Sequence, residues 1–394
     1  MFTRVRPLAR SLSIQIPKTT LIKPLSNKAH GTTTGQSQSL SFEQEYNIRS
    51  SLEKLITDYS QKKIPKLTLD SLINISKKDI STNAIATINY LTIFNTKRLQ
   101  AFRELPYLVV LNPHISETYE LYLKSLRILL ELDPYHNDFN KIHNSLLEYS
   151  EIHKNAIPSL SKGFTEVSTF FPKESIVQFL NKHFYDKINM ETITNNYINL
   201  INKPEDHLGV LNKKIKISDL VKLYAGLVND MAFIKYYKTV PIQFDFGEDV
   251  EFPYIGIHLE YIFTEILKNS IRANIESGNG DKPIKITIVK NSLGAGRYSL
   301  GIRFRDDGGG ISPEVESNVF DYSFTTVDKH EQDVGMGNNV MPGENVENIA
   351  GMGYGLPLTK AYVELFDGNL ELQSIYGLGT DVYIELISPD TSLL

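Results

Sequence analysis

Cysteine and tryptophan are both absent from the 394 residues. Without cysteine there are no disulfides, no thiolate metal sites and no cysteine nucleophile. No apolar run approaches the ~20 residues that cross a bilayer, so no membrane span is expected. The 46 acidic residues outnumber the 41 basic ones, and a net charge of −5 gives no electrostatic footprint for nucleic acid.

Acidic residues are also missing from one stretch. None precedes Glu43, while Arg4, Arg6, Arg10, Lys18, Lys23 and Lys28 all do, among many Ser and Thr. Phe2, Val5, Leu8, Leu12 and Ile16 fall on one side of a short helix. An Arg-rich, Ser-rich, acid-free amphipathic start reads as a mitochondrial transit peptide; the plain alternative is a disordered basic tail. The apolar residues are too scattered for a secretory signal. Residues 1–41 are therefore expected to be a transit peptide and leader. Its six cations removed, 35 basic residues face 46 acidic ones, a net charge of about −11.

From Phe42 to Leu223 apolar residues recur at helical spacing and glycine is scarce. Ile80–Phe94, Ser116–Leu132, Phe139–Glu151 and Ser175–Ile201 read as long helices, with turns at Pro113, Pro134 and Pro172. Four such helices with short connections predict an antiparallel four-helix bundle over 42–223. Val210–Asp219 reads as the passage to a second domain, 224–390. There Val240–Phe246, Ile284–Lys290, Tyr298–Phe304 and Asp381–Leu386 alternate with period two, and Gly256–Ser277 and Gly355–Leu365 are helical. The predicted class is α+β: the bundle, then an α/β sandwich with a mixed sheet and helices on one face. Residues 327–350, polar and rich in Gly and Asn, read as a loop.

Four pieces of this second half carry chemistry. At about 100° per residue, Glu265, Lys268, Asn269 and Arg272 share one stripe, while Leu259, Phe263, Ile266, Leu267 and Ser270 face the sheet. The stripe is either a solvated face or a metal–phosphate face: an Asn amide oxygen suits Mg²⁺, and Arg and Lys suit phosphate. Asp306-Asp-Gly308-Gly-Gly310 follows a strand, so a carboxylate there can accept from an exocyclic amine beside backbone that approaches a flat ligand; the bland reading is a tight turn. Gly351-Met352-Gly353-Tyr354-Gly355-Leu356 opens a helix, where free N–H groups offer an anion site. Gly377-Leu-Gly-Thr380 precedes the last strand, as a hairpin turn or with Thr380 against a base.

The order and spacing of these boxes closely resemble the ATP-binding domain shared by gyrase, large chaperones, mismatch-repair ATPases and histidine kinases. Within that superfamily, Glu265-Ile-Leu-Lys-Asn-Ser-Ile-Arg-Ala273 is similar to the pattern of the mitochondrial 2-oxo acid dehydrogenase kinases. So are Asp321-Tyr-Ser-Phe-Thr-Thr326, Gly355–Tyr362 and Leu372–Tyr383, and, in the helical half, Phe102-Arg-Glu-Leu-Pro106, His153 with Pro158 and Gly163, and Phe179-Leu-Asn-Lys182.

The resemblance implies an ATP-dependent serine kinase of the mitochondrial matrix that phosphorylates and inactivates the decarboxylase (E1) subunit of the pyruvate dehydrogenase complex, with the branched-chain dehydrogenase complex as the alternative target. It implies ATP and Mg²⁺ as cofactors, admits K⁺, and implies docking to lipoyl domains of the acyltransferase (E2) core and a homodimer. Glu265 would be the base. Lys268 and Arg272 would bind phosphate or orient Glu265, and Asn269 would hold Mg²⁺. The segment Glu265, Ile266, Leu267, Lys268, Asn269, Ser270, Ile271, Arg272 would form one wall of the nucleotide site. Asp306 would read the adenine amine beside Gly308 and Gly310, Thr325 and Thr326 would lie by the nucleotide, Gly351–Leu356 would wrap the phosphates under the lid 327–350, and Thr380 would complete the base pocket.

The chain departs from the family at several positions. Tyr261 stands where pyruvate dehydrogenase kinases carry His and branched-chain kinases carry Tyr. Lys187 and Glu191 stand where the family keeps anion-binding arginines near His153, which argues against inhibition by 2-oxo acids there. The Asp-Trp motif of the pyruvate dehydrogenase kinase tail has no counterpart. Two other classes compete. A histidine kinase needs an acceptor His followed by an acid, and His153 is followed by Lys154-Asn155. A non-catalytic ATP-binding scaffold would not need both Glu265 and Asn269.

Overall fold

The computed structural model describes residues 42–133, 138–153, 156–316, 318–321 and 354–394. The expected leader 1–41, lid 327–350 and turn at Pro134 lie outside these residues. Eight helices come first: α1 (Phe42–Ser60), α2 (Leu69–Ser76), α3 (Ile80–Arg103), α4 (Tyr107–Val110), α5 (Pro113–Leu130), α6 (Phe139–His153), α7 (Ala156–Val167) and α8 (Lys173–Asn202). Their ends follow local chemistry. Asp79 caps α3 by accepting from Thr82 N at 2.9 Å. Asn112 caps α5 through His114 N and Ile115 N, and Pro113 takes the first helical position, where no N–H is missed. The four expected long helices are α3, α5, α6 and α8. Each of α3, α5, α6 and α8 packs on its neighbours in a ring. α1 lies along α3 and was not foreseen, because its sequence is dominated by charged and polar residues.

The bundle core is apolar, with the rings of Phe102 and Phe179 5.2 Å apart, but it also contains a buried ion pair. Arg98 Nε lies 2.6 Å from Asp186 Oδ2, with side chains 0% and 9% exposed. Helical periodicity treats an Arg and an Asp as surface residues, so this pair was not legible.

Two sheets follow. β1 (His207–Leu208), β2 (Leu211–Lys216) and β4 (Glu251–Ile255) form a small antiparallel sheet. The stretch Val210–Asp219, expected as a passage between domains, therefore contains a paired strand. The larger sheet has the order β3-β5-β6-β8-β7, from β3 (Ile242–Phe246), β5 (Ile284–Gly294), β6 (Arg297–Arg305), β7 (Asn369–Ile375) and β8 (Gly379–Ile387). β3 and β5 run parallel and the other pairs antiparallel, so the sheet is mixed as expected.

The register explains its two faces. Ile286 pairs with Phe304, Phe304 with Val382 and Leu372 with Val382, and Ile288, Ile302, Ile384 and Leu370 make the next row. These rows are largely buried. The alternate rows, Lys285–Arg305–Asp381–Gln373 and Thr287–Arg303–Tyr383–Glu371, put polar groups on the other face. Three helices accompany the sheet: α9 (Ile217–Tyr236), α10 (Gly256–Glu276) and α12 (Gly355–Glu364), with the short α11 (Pro313–Glu316) after β6. α10 packs on α9 and α12, and Phe263 of α10 meets Phe304 at 5.9 Å. α9 runs unbroken across the division expected between 223 and 224. α8 reaches α10 and the residue that leads into α12 directly, through Thr192 Oγ1 and His258 Nε2 at 3.0 Å and through Phe184 and Tyr354 at 5.7 Å.

Candidate active site

The polar stripe lies on α10. Ile266, Leu267 and Ile271 are in the apolar core, so their side chains fix the helix against its neighbours and offer no polar group to a ligand. Asn269 is exposed, and Lys268 and Arg272 are half-buried. Arg272 Nε lies 3.4 Å from Glu276 Oε1. Glu265 departs from the solvated end of such a stripe. It is 1% exposed, and Lys268 Nζ donates to its Oε1 at 3.2 Å. Burial drives its carboxyl above the ordinary range, and Lys268 opposes that shift.

What covers Glu265 is the start of α12. A Cβ on Gly355 would lie 2.4 Å from Glu265 Oε2, so only glycine lets the helix N-terminus come this close. The positive end of the helix is thereby brought to a carboxylate. Tyr354 is fully buried, while Leu356 at the same end is half-buried.

The Asp306 loop is built on the other side of α10. Asp306 is 6% exposed; its Oδ1 accepts from Gly308 N at 3.0 Å and Thr380 N at 3.2 Å, and the Ser270 hydroxyl also reaches the carboxylate. Burial raises its pKa and these donors lower it. The glycines answer to protein neighbours. A Cβ on Gly308 would meet Ala273 Cβ at 2.4 Å, and Gly310, at φ +69°, turns its backbone onto Ile375 O. Thr380 Oγ1 is 3.0 Å from Ser374 Oγ, which accepts from Ile311 N at 2.7 Å.

Two residues of this framework were missed. Asn274 Oδ1 accepts from Asp307 N at 3.0 Å while its Nδ2 donates to Lys282 O, and Asn279 Nδ2 donates to Asp307 O at 2.7 Å. Asn274 lies two turns after Leu267 on the buried side of α10, and a polar residue at a core position was the available signal.

Thus Glu265, Lys268, Gly355 and Leu356 lie together at the middle of α10, where α12 begins, and Ser270, Asp306, Gly308, Gly310 and Thr380 gather around its C-terminal half. Thr325, Thr326, Gly351, Met352 and Gly353 lie outside the described residues. The donor set suits Mg-ATP: a buried carboxylate for an amine, an exposed amide oxygen for a hard cation, and cations for phosphate. Among the described residues no group of three or more His, Asp or Glu gathers as a metal site, so a cation here would rest on Asn269 and the ligand's own oxygens. In the bundle, His153 is buried, with Ser125 Oγ 2.8 Å from its Nε2, and burial, then Lys187, hold its pKa down at about 3.

Comparison with known proteins shows what the chain is similar to. Residues 66–219 match the family described as mitochondrial branched-chain alpha-ketoacid dehydrogenase kinase, and 255–390 match the histidine kinase-, DNA gyrase B- and HSP90-like ATPase family. The chain is 40% identical over 369 residues to pyruvate dehydrogenase (acetyl-transferring) kinase 1, mitochondrial, of Saccharomyces cerevisiae, covering 90% of this chain and 92% of that protein. It is 33% identical to the mitochondrial pyruvate dehydrogenase kinase of Schizosaccharomyces pombe over 54% of this chain and 50% of the relative. It is 24% identical to that of Arabidopsis thaliana over 81% of this chain and 89% of the relative.

Proposed function

The chain belongs to the mitochondrial 2-oxo acid dehydrogenase kinase family, and from that premise we propose that it phosphorylates a serine of the decarboxylase subunit of the pyruvate dehydrogenase complex. It is an ATP-dependent protein kinase of the mitochondrion, and that complex is its partner. Its place in the matrix, docking to the lipoyl domains of the acyltransferase core, a homodimer, Mg²⁺ and K⁺ are parts of the same proposal, as is the division into leader 1–41, bundle 42–223 and catalytic domain 224–390.

The observation that carries the reading is Glu265, a carboxylate buried beneath the N-terminus of α12 with its pKa raised by burial. A base for a serine hydroxyl works best when its pKa approaches the working pH. Glu265 accepts the hydroxyl proton as the serine oxygen bonds to the γ-phosphorus; the bond to the β-phosphate oxygen breaks, and ADP leaves. Asp306, fixed by Gly308 N and Thr380 N, holds the adenine amine. Asn269 would hold Mg²⁺, and Lys268 and Arg272 would steady the phosphates. When bound, Mg-ATP supplies the phosphoryl group and neutralises charge on it; what remains for the protein is positioning.

The departure at Tyr261 leaves the branched-chain complex as the second target. Purified pyruvate and branched-chain complexes, each incubated with the protein and Mg-[γ-³²P]ATP, test the choice. Label on the decarboxylase subunit of the pyruvate complex is expected. Label on the branched-chain complex alone reverses the assignment, acid-labile label on the kinase indicates a histidine kinase, and no label indicates a scaffold. His153, buried against Ser125, is poorly placed to be a phosphoacceptor.

A further inference from the structure

A line of side chains joins Glu265 to the helical bundle. Tyr261 precedes Glu265 by one turn of α10, so the two share a face. Tyr261 is buried, and its hydroxyl has no hydrogen-bond partner among the described residues. Its ring stacks on Tyr362 of α12, with centroids 4.8 Å apart and planes at 30°. The Tyr362 hydroxyl donates to Glu191 Oε2 of α8 at 3.5 Å, and Lys187 Nζ holds the same oxygen at 3.4 Å. Tyr362 stands two turns along the helix whose first residue, Gly355, covers the Glu265 carboxylate. α12 therefore touches the Glu265 neighbourhood twice, once at the carboxylate and once at the ring beneath it.

We propose that Glu191 and Tyr362 are positioning residues for Glu265: the hydrogen bond from the bundle helix pins Tyr362 against Tyr261, and this stack fixes the carboxylate and keeps water from it. The inference rests on Glu265 being the base. It also gives a physical reason for an acid at 191. A cationic side chain has donors only and could not accept from the Tyr362 hydroxyl, whereas a carboxylate can. The base is thus tied to a residue of the bundle.

Among the described residues, the ionisable groups facing Glu265 are Lys268 and Tyr261 of its own helix, with Tyr362 of α12 stacked on Tyr261. Beyond them stand Glu191 and Lys187 of α8 and Glu260 of α10, the last with its pKa raised by burial, eased by Tyr224, and raised further by Glu191. Loosening the stack admits water to Glu265 and relieves the burial that holds its pKa up, so the acid limb of the kcat–pH profile moves to lower pH.

The test uses the full chain with its dehydrogenase complex and compares Tyr362→Phe, Glu191→Ala and Glu191→Gln. Tyr362→Phe and Glu191→Ala are expected to lower kcat by about tenfold with KM for ATP within about twofold, since orientation is lost and nucleotide contacts are not. Both move the acid limb downward. Glu191→Gln keeps an oxygen acceptor and restores wild-type kcat and limb. Wild-type kcat and limb in Tyr362→Phe and Glu191→Ala overturn the proposal, as does a Glu191→Gln protein as impaired as Glu191→Ala. Should Tyr362→Phe fail to fold, the two Glu191 variants decide alone. Glu265→Gln run alongside separates the two claims: if it still transfers phosphate with the same limb, the base assignment fails, whereas if it is inactive and the other variants are normal, only the positioning role fails.

Discussion

Replacing Gly355 by alanine separates the chemistry of the site from the stability of the fold. The added Cβ would stand 2.4 Å from Glu265 Oε2, and real Cβ atoms essentially never come within 3.0 Å of a neighbour, so the carboxylate must move by about 0.6 Å or more. Glu265 has little room to do so, being 1% exposed and held by Lys268. A misplacement of about 1 Å costs on the order of a hundredfold in rate, so about ten- to a hundredfold is expected here, or ~1.4–2.7 kcal/mol of barrier. The backbone itself is no obstacle. Gly355 is not among the positive-φ glycines, and alanine is the better helix former by up to ~1 kcal/mol. Overpacking of about 1–3 kcal/mol, partly offset by that propensity, should leave the variant folded and melting no more than a few degrees below wild type while it loses kcat. Thermal melting, nucleotide binding and phosphorylation of the decarboxylase subunit would be measured on one preparation. A kcat within about twofold of wild type would refute the placement of Glu265, and a loss of activity accounted for by unfolding at the assay temperature would refute the separation.

Three further outcomes follow from the same contacts. Because burial raises the folded-state pKa of Glu265 above its ordinary 4.5, the folded protein holds the proton that the unfolded chain releases, and wild-type stability falls as pH rises through that window. Glu265→Gln should therefore be more stable than wild type at pH 7 to 8, with the difference shrinking toward pH 4.5 in denaturant melts. Asp186→Ala leaves the Arg98 guanidinium buried without its counter-ion and should cost about 3–5 kcal/mol, whereas Arg98→Met with Asp186→Leu should recover most of it in urea unfolding. Asn274→Ala strands Asp307 N–H and should cost about 1–3 kcal/mol and raise KM for ATP, checked by melting and by steady-state kinetics.

Much of this was written locally. The periodicity of α3, α5, α6 and α8 and the alternation of β5, β6 and β8 are short-range patterns, and the glycine boxes mark where backbone must pass close to something. The reason for those glycines was less accessible. Gly355, Gly308 and Gly310 are required by Glu265, Ala273 and Ile375, all remote in sequence. β2, written as Leu-Asn-Lys-Lys-Ile-Lys, becomes a strand by pairing with the short β1 on one side and, over most of its length, with β4, some forty residues later. Arg98 and Asp186 are interior because each neutralises the other across two helices, and Glu265 left its solvated stripe because α12 covers it. Tyr261, a departure from one branch of the family, acquires a surrounding only when α8, α10 and α12 meet.

The central claim is that Glu265 takes the proton of the substrate serine. The most direct measurement is single-turnover phosphoryl transfer from Mg-[γ-³²P]ATP to the decarboxylase subunit by wild type and Glu265→Gln, with nucleotide affinity measured on the same samples. The account predicts that Glu265→Gln binds ATP as wild type does, since the amide keeps the shape of the carboxylate, and transfers at least about a hundredfold more slowly. Transfer at the wild-type rate with the nucleotide bound would contradict it.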